Sequence, residues 1–261
     1  MAKFCPFFSS SEGNSSYIEC REGAILVDAG VSFKKLLAAA RAVGGLERVR
    51  AVAITHTHND HTVGLHPLLA KLKIPVIATE QTASVLAQEN KFLPDTKVII
   101  ANEDKQDVFG IEIKSFSTSH DAEGSCGYSF YLPEGKKISV CTDLGVVTDS
   151  VRAAIEKSDL LLFESNHDIE MLKKGPYPPH LKVRILSDNG HISNNACSAE
   201  LGSLLQKGTT RFILGHLSQH NNIPMLAKKT AEAALIDIGA ENEKDYKLSI
   251  AAPFGNGVSI I

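Results

Sequence analysis

The chain of 261 residues has no tryptophan, and only 6% of its residues are aromatic. Its five cysteines (Cys5, Cys20, Cys126, Cys141, Cys197) are odd in number, scattered, and never spaced as a CxxC pair. That argues against a disulfide framework and fits reduced thiols in a cytosolic protein. No charge of one sign dominates: the formal net charge is −3. A protein basic over its whole surface is thereby excluded, but a local basic groove for an anionic substrate is not. No run approaches the ~18 apolar residues of a membrane span, and the opening "MAKFCPFFSSSEGNSS" lacks the apolar core of a signal peptide. A cytoplasmic protein without membrane association is expected. No linker, low-complexity tract or short-period repeat interrupts the chain, and its length allows a sizeable core.

Against this ordinary background one stretch stands out. "AVAITHTHNDHTVGL", residues 51 to 65, crowds His56, His58, Asp60 and His61 behind an apolar run. Side chains of this kind held together repel one another or stay half solvated, unless a cation organises them. Ala51 to Ile54 reads as a short buried strand, and Leu65, Leu68, Leu69 and Leu72 as the inner face of a following helix. His56 and His58 then project to the same side of an extended segment, and Asp60 and His61 come around on the turn that opens the helix. A helix cap needs one such residue, not four.

The same grammar recurs. "AVAIT" leads into His56, "IEIKSFSTS" into His120, "KISVCT" into Asp143, "LLLF" into Glu164, "RILSDNG" into His191, and "RFILG" into His216. Six β-like runs each end at a residue able to ligate a metal or move a proton. Strand ends are where rigid elements aim side chains into a shared cleft, so one common site is expected. Helical spacing lies between the runs: Phe33, Leu36, Leu37 and Ala40; Val151, Ala154 and Ile155; "SNNACSAELGSLLQK"; and "IPMLAKKTAEAALIDIG", ended by Gly239. Two strand-rich halves, each with its helices, predict a single α/β domain over residues 1–261: two sheets face to face with helices outside, an αββα sandwich.

"HTHNDH" resembles the HxHxDH signature of the metallo-β-lactamase fold, and the later family positions follow in order over nearly the whole chain. The resemblance implies a dinuclear centre, with His56, His58 and His120 on one metal, Asp60, His61 and His216 on the other, and Asp143 bridging. Five imidazoles and two carboxylates suit zinc, with manganese or iron also fitting so oxygen- and nitrogen-rich a set. Two such ions about 3.5–4 Å apart can share a hydroxide and hold an attacked oxygen.

The fold alone does not choose the reaction. True β-lactamases of this fold generally lack the bridging aspartate, whereas thioesterase and lactonase relatives have it. "LLLFESNHD" and "DNGHISNNACSAEL" resemble the motifs of the family's nucleases. There a glutamate and a histidine form a proton relay with a metal-bound aspartate, which implies catalytic roles for Asp60, Glu164 and His191. A sugar alkoxide is a poor leaving group and profits from a general acid, whereas a thiolate leaves readily. The plain structural alternatives are a buried partner for a backbone amide at Glu164 and a helix N-terminal loop position at His191.

Among the nucleases, the 27 positions from Glu164 to His191 are too few for a β-CASP cap domain. The 23 from His120 to Asp143 are too few for the tRNA-binding arm of tRNA 3′-end processing enzymes. "SSSEGNSSYIE", "FESNHDIEMLKKGPYP", "ILSDNGHISN" and "HLSQHNN" look very like the bacterial YycJ/WalJ-type subfamily. That resemblance implies a metal-dependent 5′-to-3′ exonuclease whose substrate is DNA rather than RNA. A small-molecule phosphodiesterase, a thioester or lactone hydrolase, and a non-catalytic metal-binding protein are the alternatives.

Two features read either way: His167, three positions after Glu164, as a contact to a substrate phosphate or as a cap of the next segment, and the basic stretch "MLKKGPYPPHLKVR" as a substrate-binding face or as a solvated one. In that stretch Lys173, Lys174, Lys182 and Arg184 gather around Tyr177, phosphate contacts beside a stacking ring. Ser218, Asn221 and Asn222 are further hydrogen-bonding candidates for a terminal phosphate. His66 reads as structural. His180 and His220 read as surface residues, the latter near enough to His216 to line the cleft.

Overall fold

The computed structural model describes residues 1–261. It places β1 (Lys3–Ser10), β2 (Gly13–Cys20), β3 (Gly23–Val27), β4 (Val49–Ala53), β5 (Val76–Ala78) and β6 (Val98–Ile100) side by side in one sheet. A second sheet holds β7 (Gln106–Val108), β8 (Ile111–Ser117), β9 (Cys126–Tyr131), β10 (Lys137–Cys141), β11 (Leu160–Glu164), β12 (Arg211–Gly215) and β13 (Lys247–Ile250). The last strand, β14 (Ser259–Ile260), returns to pair with β1 at the edge of the first sheet. Each half follows one plan. Antiparallel neighbours (β1 to β3, β7 to β10) come first, and parallel neighbours (β3 to β6, β10 to β13) follow.

Parallel pairs need crossovers, and the helices are those crossovers. In the first half they are α1 (Phe33–Ala39), α2 (Asn59–Thr62), α3 (Leu65–Leu72) and α4 (Glu80–Gln88). In the second they are α5 (Asp149–Ile155), α6 (Ile169–Lys174), α7 (Pro179–Leu186), α8 (Asn194–Gln206) and α9 (Pro224–Asp237).

Strand alternation explains the layers. Ile25 and Val27 join the core between the sheets, together with Leu160 and Leu162 from the opposite sheet. Leu26 points the other way, into a core shared with Leu36, Leu65 and Leu68 of α1 and α3. Leu161 and Phe163 likewise meet Leu201 and Leu204 of α8. Strands buried on both faces must read as continuous apolar runs, and these do. The αββα sandwich expected from the sequence is the observed architecture. All five cysteines are buried and unpaired, and no helix is long and apolar enough to cross a membrane.

One element differs. "RILSDNG" is not a strand but the end of α7 and a turn. Pro179 opens that helix, and Ile185 is the residue it buries. The two adjacent apolar residues thus belong to a helical spacing. His191 is delivered instead by the loop, whose backbone is tied back to α7 through His191 N–H to Ile185 O at 3.0 Å. The other five runs are strands that end at or just before the expected residue.

Candidate metal centre

The C-terminal ends of β3, β4, β8, β10, β11 and β12 converge at one edge of the sandwich. Ser10 at the end of β1 bridges to Leu217 after β12, and the His216 N–H donates to Ser9 Oγ at 2.9 Å, so the two sheets are sewn together there. His56, His58, His120, Asp60, His61, Asp143, Glu164, His191 and His216 all meet at this edge.

In one group, His56 Nε2 lies 3.1 Å from His58 Nδ1, which lies 3.2 Å from His120 Nε2. Two of the three rings are aimed from behind: His56 Nδ1 meets Thr55 Oγ1 at 3.0 Å, and His120 Nδ1 meets the Gly190 carbonyl at 3.1 Å. In a second group, His61 Nε2 is 3.3 Å from Asp60 Oδ2, and His216 Nε2 is 3.6 Å from the same oxygen. Asp143 stands between the groups. Its carboxylate oxygens are 3.4 Å from His61 Nε2, 3.4 Å from His216 Nε2 and 3.8 Å from His120 Nε2.

These side chains fit metal ions. Donor atoms around a tetrahedral zinc at about 2.0–2.1 Å are separated by roughly 3.3 Å, close to the spacings here. Asp143 Oδ2 and His216 Nε2 are moreover buried with no hydrogen-bond partner, which is costly unless something else satisfies them. The charge distribution agrees. Burial holds His56, His58 and His120 below the ordinary imidazole range, as neutral ligands require. Burial also opposes a charge on His61 and His216, but the surrounding carboxylates, Asp143 first among them, outweigh it and raise both, His216 to about 10. Two protons held there stand where a cation's charge belongs, so metal uptake must displace them.

Sequence reading missed several supporting residues. Asp28, 3% exposed, accepts from His61 Nδ1 at 2.8 Å and from the Thr55 N–H at 2.8 Å. A ligating histidine commonly gives its second nitrogen to such a carboxylate. Asp28 follows "GAILV", the same strand-end signal as its partners, which would have found it. Asn14 places Nδ2 3.0 Å from His61 Nε2 and 3.2 Å from Asp60 Oδ2. Gly30 lets the backbone close onto this corner, since a side chain there would overlap the Asp60 carbonyl. Asp28, Asp143 and His216 all hold left-handed backbone conformations, with φ of 63°, 61° and 55°.

Glu164 is fully buried, and it partners backbone amides and imidazoles at once. Its Oε1 accepts from His191 Nδ1 at 2.8 Å and lies 2.9 Å from His216 Nδ1, while Oε2 accepts from the N–H groups of Leu144 and Ile192. Burial pushes this carboxyl up, yet His191 and His216 beside it prevail and hold it at about 2.

The residues expected to touch substrate divide. Tyr177, Arg184, Ser218 and His220 line the cleft of about 410 Å³ above the centre, with His58, Asp60, Asp143, His191 and His216. Tyr177 packs edge-on against His220 at 5.7 Å between ring centroids, and Arg184 is held by an ion pair to Asp121. Lys173 and Lys174 lie exposed on α6 and pair with Glu170, and Lys182 donates to the Lys173 carbonyl. His167 is 1% exposed, its ring held neutral by burial at about 4, and the cap of α6 is Asp168. Asn222 is spent on the scaffold, donating to the carbonyls of Ser165 and Asn166 and to Asn194 Oδ1. Asn221 is buried against Ser218. His66 and His180 are exposed outside the cleft.

A cluster of this kind predicts a stability effect. Zinc or manganese at about a hundred times its dissociation constant adds roughly 2.7 kcal/mol per site, or about 5–10 °C in a chain of this size. Differential scanning calorimetry with and without a chelator measures it. A melting temperature indifferent to both metal and chelator would contradict metal binding.

The Beta-lactamase superfamily domain model matches residues 24–217. The exodeoxyribonuclease YycJ of Bacillus anthracis is 36% identical over 238 residues, covering 90% of each protein. The exodeoxyribonuclease WalJ of Streptococcus pneumoniae is 36% identical over 258 residues, 96% of this chain and 94% of its own. Among solved structures, the metallo-beta-lactamase fold protein YhfI from Bacillus subtilis superposes with a TM-score of 0.72 at 17% identity, covering 99% of both chains. Zn(2+)-bound PqqB from Methylobacterium extorquens gives 0.71 at 17% identity over all of both chains.

Proposed function

Since the chain belongs to the β-lactamase superfamily domain family, and within it to the YycJ/WalJ family of metal-dependent hydrolases, we propose that it is a 5′-to-3′ exonuclease acting on DNA. The observation that carries this reading is the single oxygen of Glu164 shared by His191 and His216. An imidazole fixed through Nδ1 by a buried carboxylate keeps Nε2 free. With His191 in the wall of the cleft, that nitrogen is available to a departing sugar oxygen.

His56, His58 and His120 would hold one ion, Asp60, His61 and His216 a second, with Asp143 between them; zinc and manganese suit the donors best. When bound, such a pair supplies an activated water and positive charge for the attacked phosphoryl group. The chain's own residues do the rest. Asp28 and Glu164 hold His61 and His216 in the orientation that points Nε2 inward. Asp60, in the cleft wall beside both rings, would orient the attacking water. His191 donates the proton that the leaving oxygen needs. Arg184, anchored by Asp121, offers a guanidinium to phosphate, and the Tyr177 ring a face to a base.

Digestion of end-labelled single- and double-stranded DNA and RNA with added Mn²⁺ or Zn²⁺ tests the proposal. Stepwise release of nucleotides from 5′ ends of DNA is expected; hydrolysis confined to small esters or free nucleotides would overturn it.

Lys173 and Lys174 give a separate test of nucleic-acid guidance. Replacing both by alanine should weaken DNA binding and flatten the slope of log K against log salt by about 0.9 for each phosphate that is no longer neutralised. An unchanged slope would leave the two lysines as partners of Glu170 only.

A further inference from the structure

Beside the metal cleft lies a second, larger groove of about 730 Å³. Its walls include Phe8 of β1, Val31, Ala39 of α1 and Phe254, a residue 73% exposed. Lys35 and Glu12 are the only charged side chains along it. The two cavities adjoin at Glu12. Glu12 lines both, while Ser11 and Ser218 line the cleft and their neighbours Ser10 and Gln219 line the groove. The sill between them is the seam where Ser10 is bridged to Leu217, so both sheets contribute to it.

Resting on the exonuclease reading, we propose that this groove receives the unpaired bases of a single DNA strand whose terminal phosphodiester lies in the metal cleft. Apolar and aromatic walls suit nucleobase faces, which stack without regard to sequence. Lys35 at the rim suits a backbone phosphate. The Glu12 carboxylate at the sill suits an N–H group of a base, such as the ring N3–H of thymine, since it only accepts hydrogen bonds. A small ester needs only the 410 Å³ of the cleft, and a contiguous apolar groove nearly twice that size has no use for it. Paired bases keep their faces covered, so the groove favours a strand that is single or frayed.

The absence of tryptophan makes the test direct. Phe254→Trp introduces the sole indole, on an exposed site in the groove. The Mn²⁺-loaded variant is titrated with fluorescein-labelled, phosphorothioate-linked oligothymidylates of increasing length. Indole emission reports stacking, and label anisotropy reports binding. Quenching that grows with length until the groove is filled is expected. Phe254→Ala should weaken binding about 5- to 150-fold, the range for removal of one base stack, and Lys35→Glu should flatten the salt slope by about one unit. An oligonucleotide that binds with unchanged indole emission, and equally well to Phe254→Ala, would overturn the groove while leaving the exonuclease reading intact. Quenching without degradation of unmodified DNA would uphold the groove and remove the exonuclease reading. A protein that neither binds nor degrades DNA would remove both.

Discussion

Replacing Asp143 by asparagine or alanine is expected to release at least about one metal ion per chain and to lower hydrolysis on the order of 10³-fold or more. Asp143 is 2% exposed and the one carboxylate that faces both groups of histidines, within 3.4 Å of His61 and His216 and 3.8 Å of His120. Without its charge the five imidazoles of the centre keep only Asp60 as a ligating anion, and two cations held close together lose the group that screens them from each other. Asparagine keeps the size and tolerates the left-handed backbone, so a loss in both variants isolates the charge. Elemental analysis of protein purified without chelator, together with turnover on DNA, measures both effects. Full metal content with intact turnover would reduce Asp143 to a buried counter-charge.

The second large effect concerns His191, and it depends on the substrate. DNA leaves as a poor alkoxide, so His191→Ala should lose about 10²–10⁴-fold there, the usual worth of a positioned general acid. A nitrophenyl phosphodiester leaves as a phenolate of much lower pKa, and the same variant should keep most of its rate on it. Metal content should stay near that of the parent protein. Glu164→Gln should resemble His191→Ala on DNA but also disturb His216, because one carboxylate oxygen serves both rings. Equal losses on both substrates with metals retained would mean that His191 positions substrate rather than protonating it, and ester hydrolysis would again compete.

What the sequence made legible follows from where its chemistry sits. A side chain at the end of a buried strand is located by the strand itself, so His56, His120, Asp143, Glu164 and His216 are visible as an apolar run that stops. The layers are legible for the same reason, since strands buried on two faces must be apolar throughout. Loops are different. His191 reaches the centre only because the turn after α7 is tied back onto that helix. His167 and Asn222 look like substrate contacts in the sequence, yet His167 is buried, and Asn222 bonds Asn194 and the carbonyls of Ser165 and Asn166. Buried loop carbonyls and amides must be satisfied, and nothing local in the sequence separates a side chain that satisfies them from one that meets a ligand. Asp121, the anchor of Arg184, sits 63 positions away from it in the chain and becomes its partner only in three dimensions.

The left-handed backbone at Asp28, Asp143 and His216 places these three residues where folding and chemistry want different things. A non-glycine residue in that region costs of order 1–3 kcal/mol, and glycine adopts it freely. In ordinary positions glycine is a worse choice than alanine, but at these three the order inverts, and each glycine variant should melt above its alanine counterpart. In a lineage released from the need to hydrolyse anything, the centre would erode first at these points. Drift would carry it toward glycine and asparagine while the apolar strands beneath stayed unchanged, leaving a sound sandwich with an empty rim.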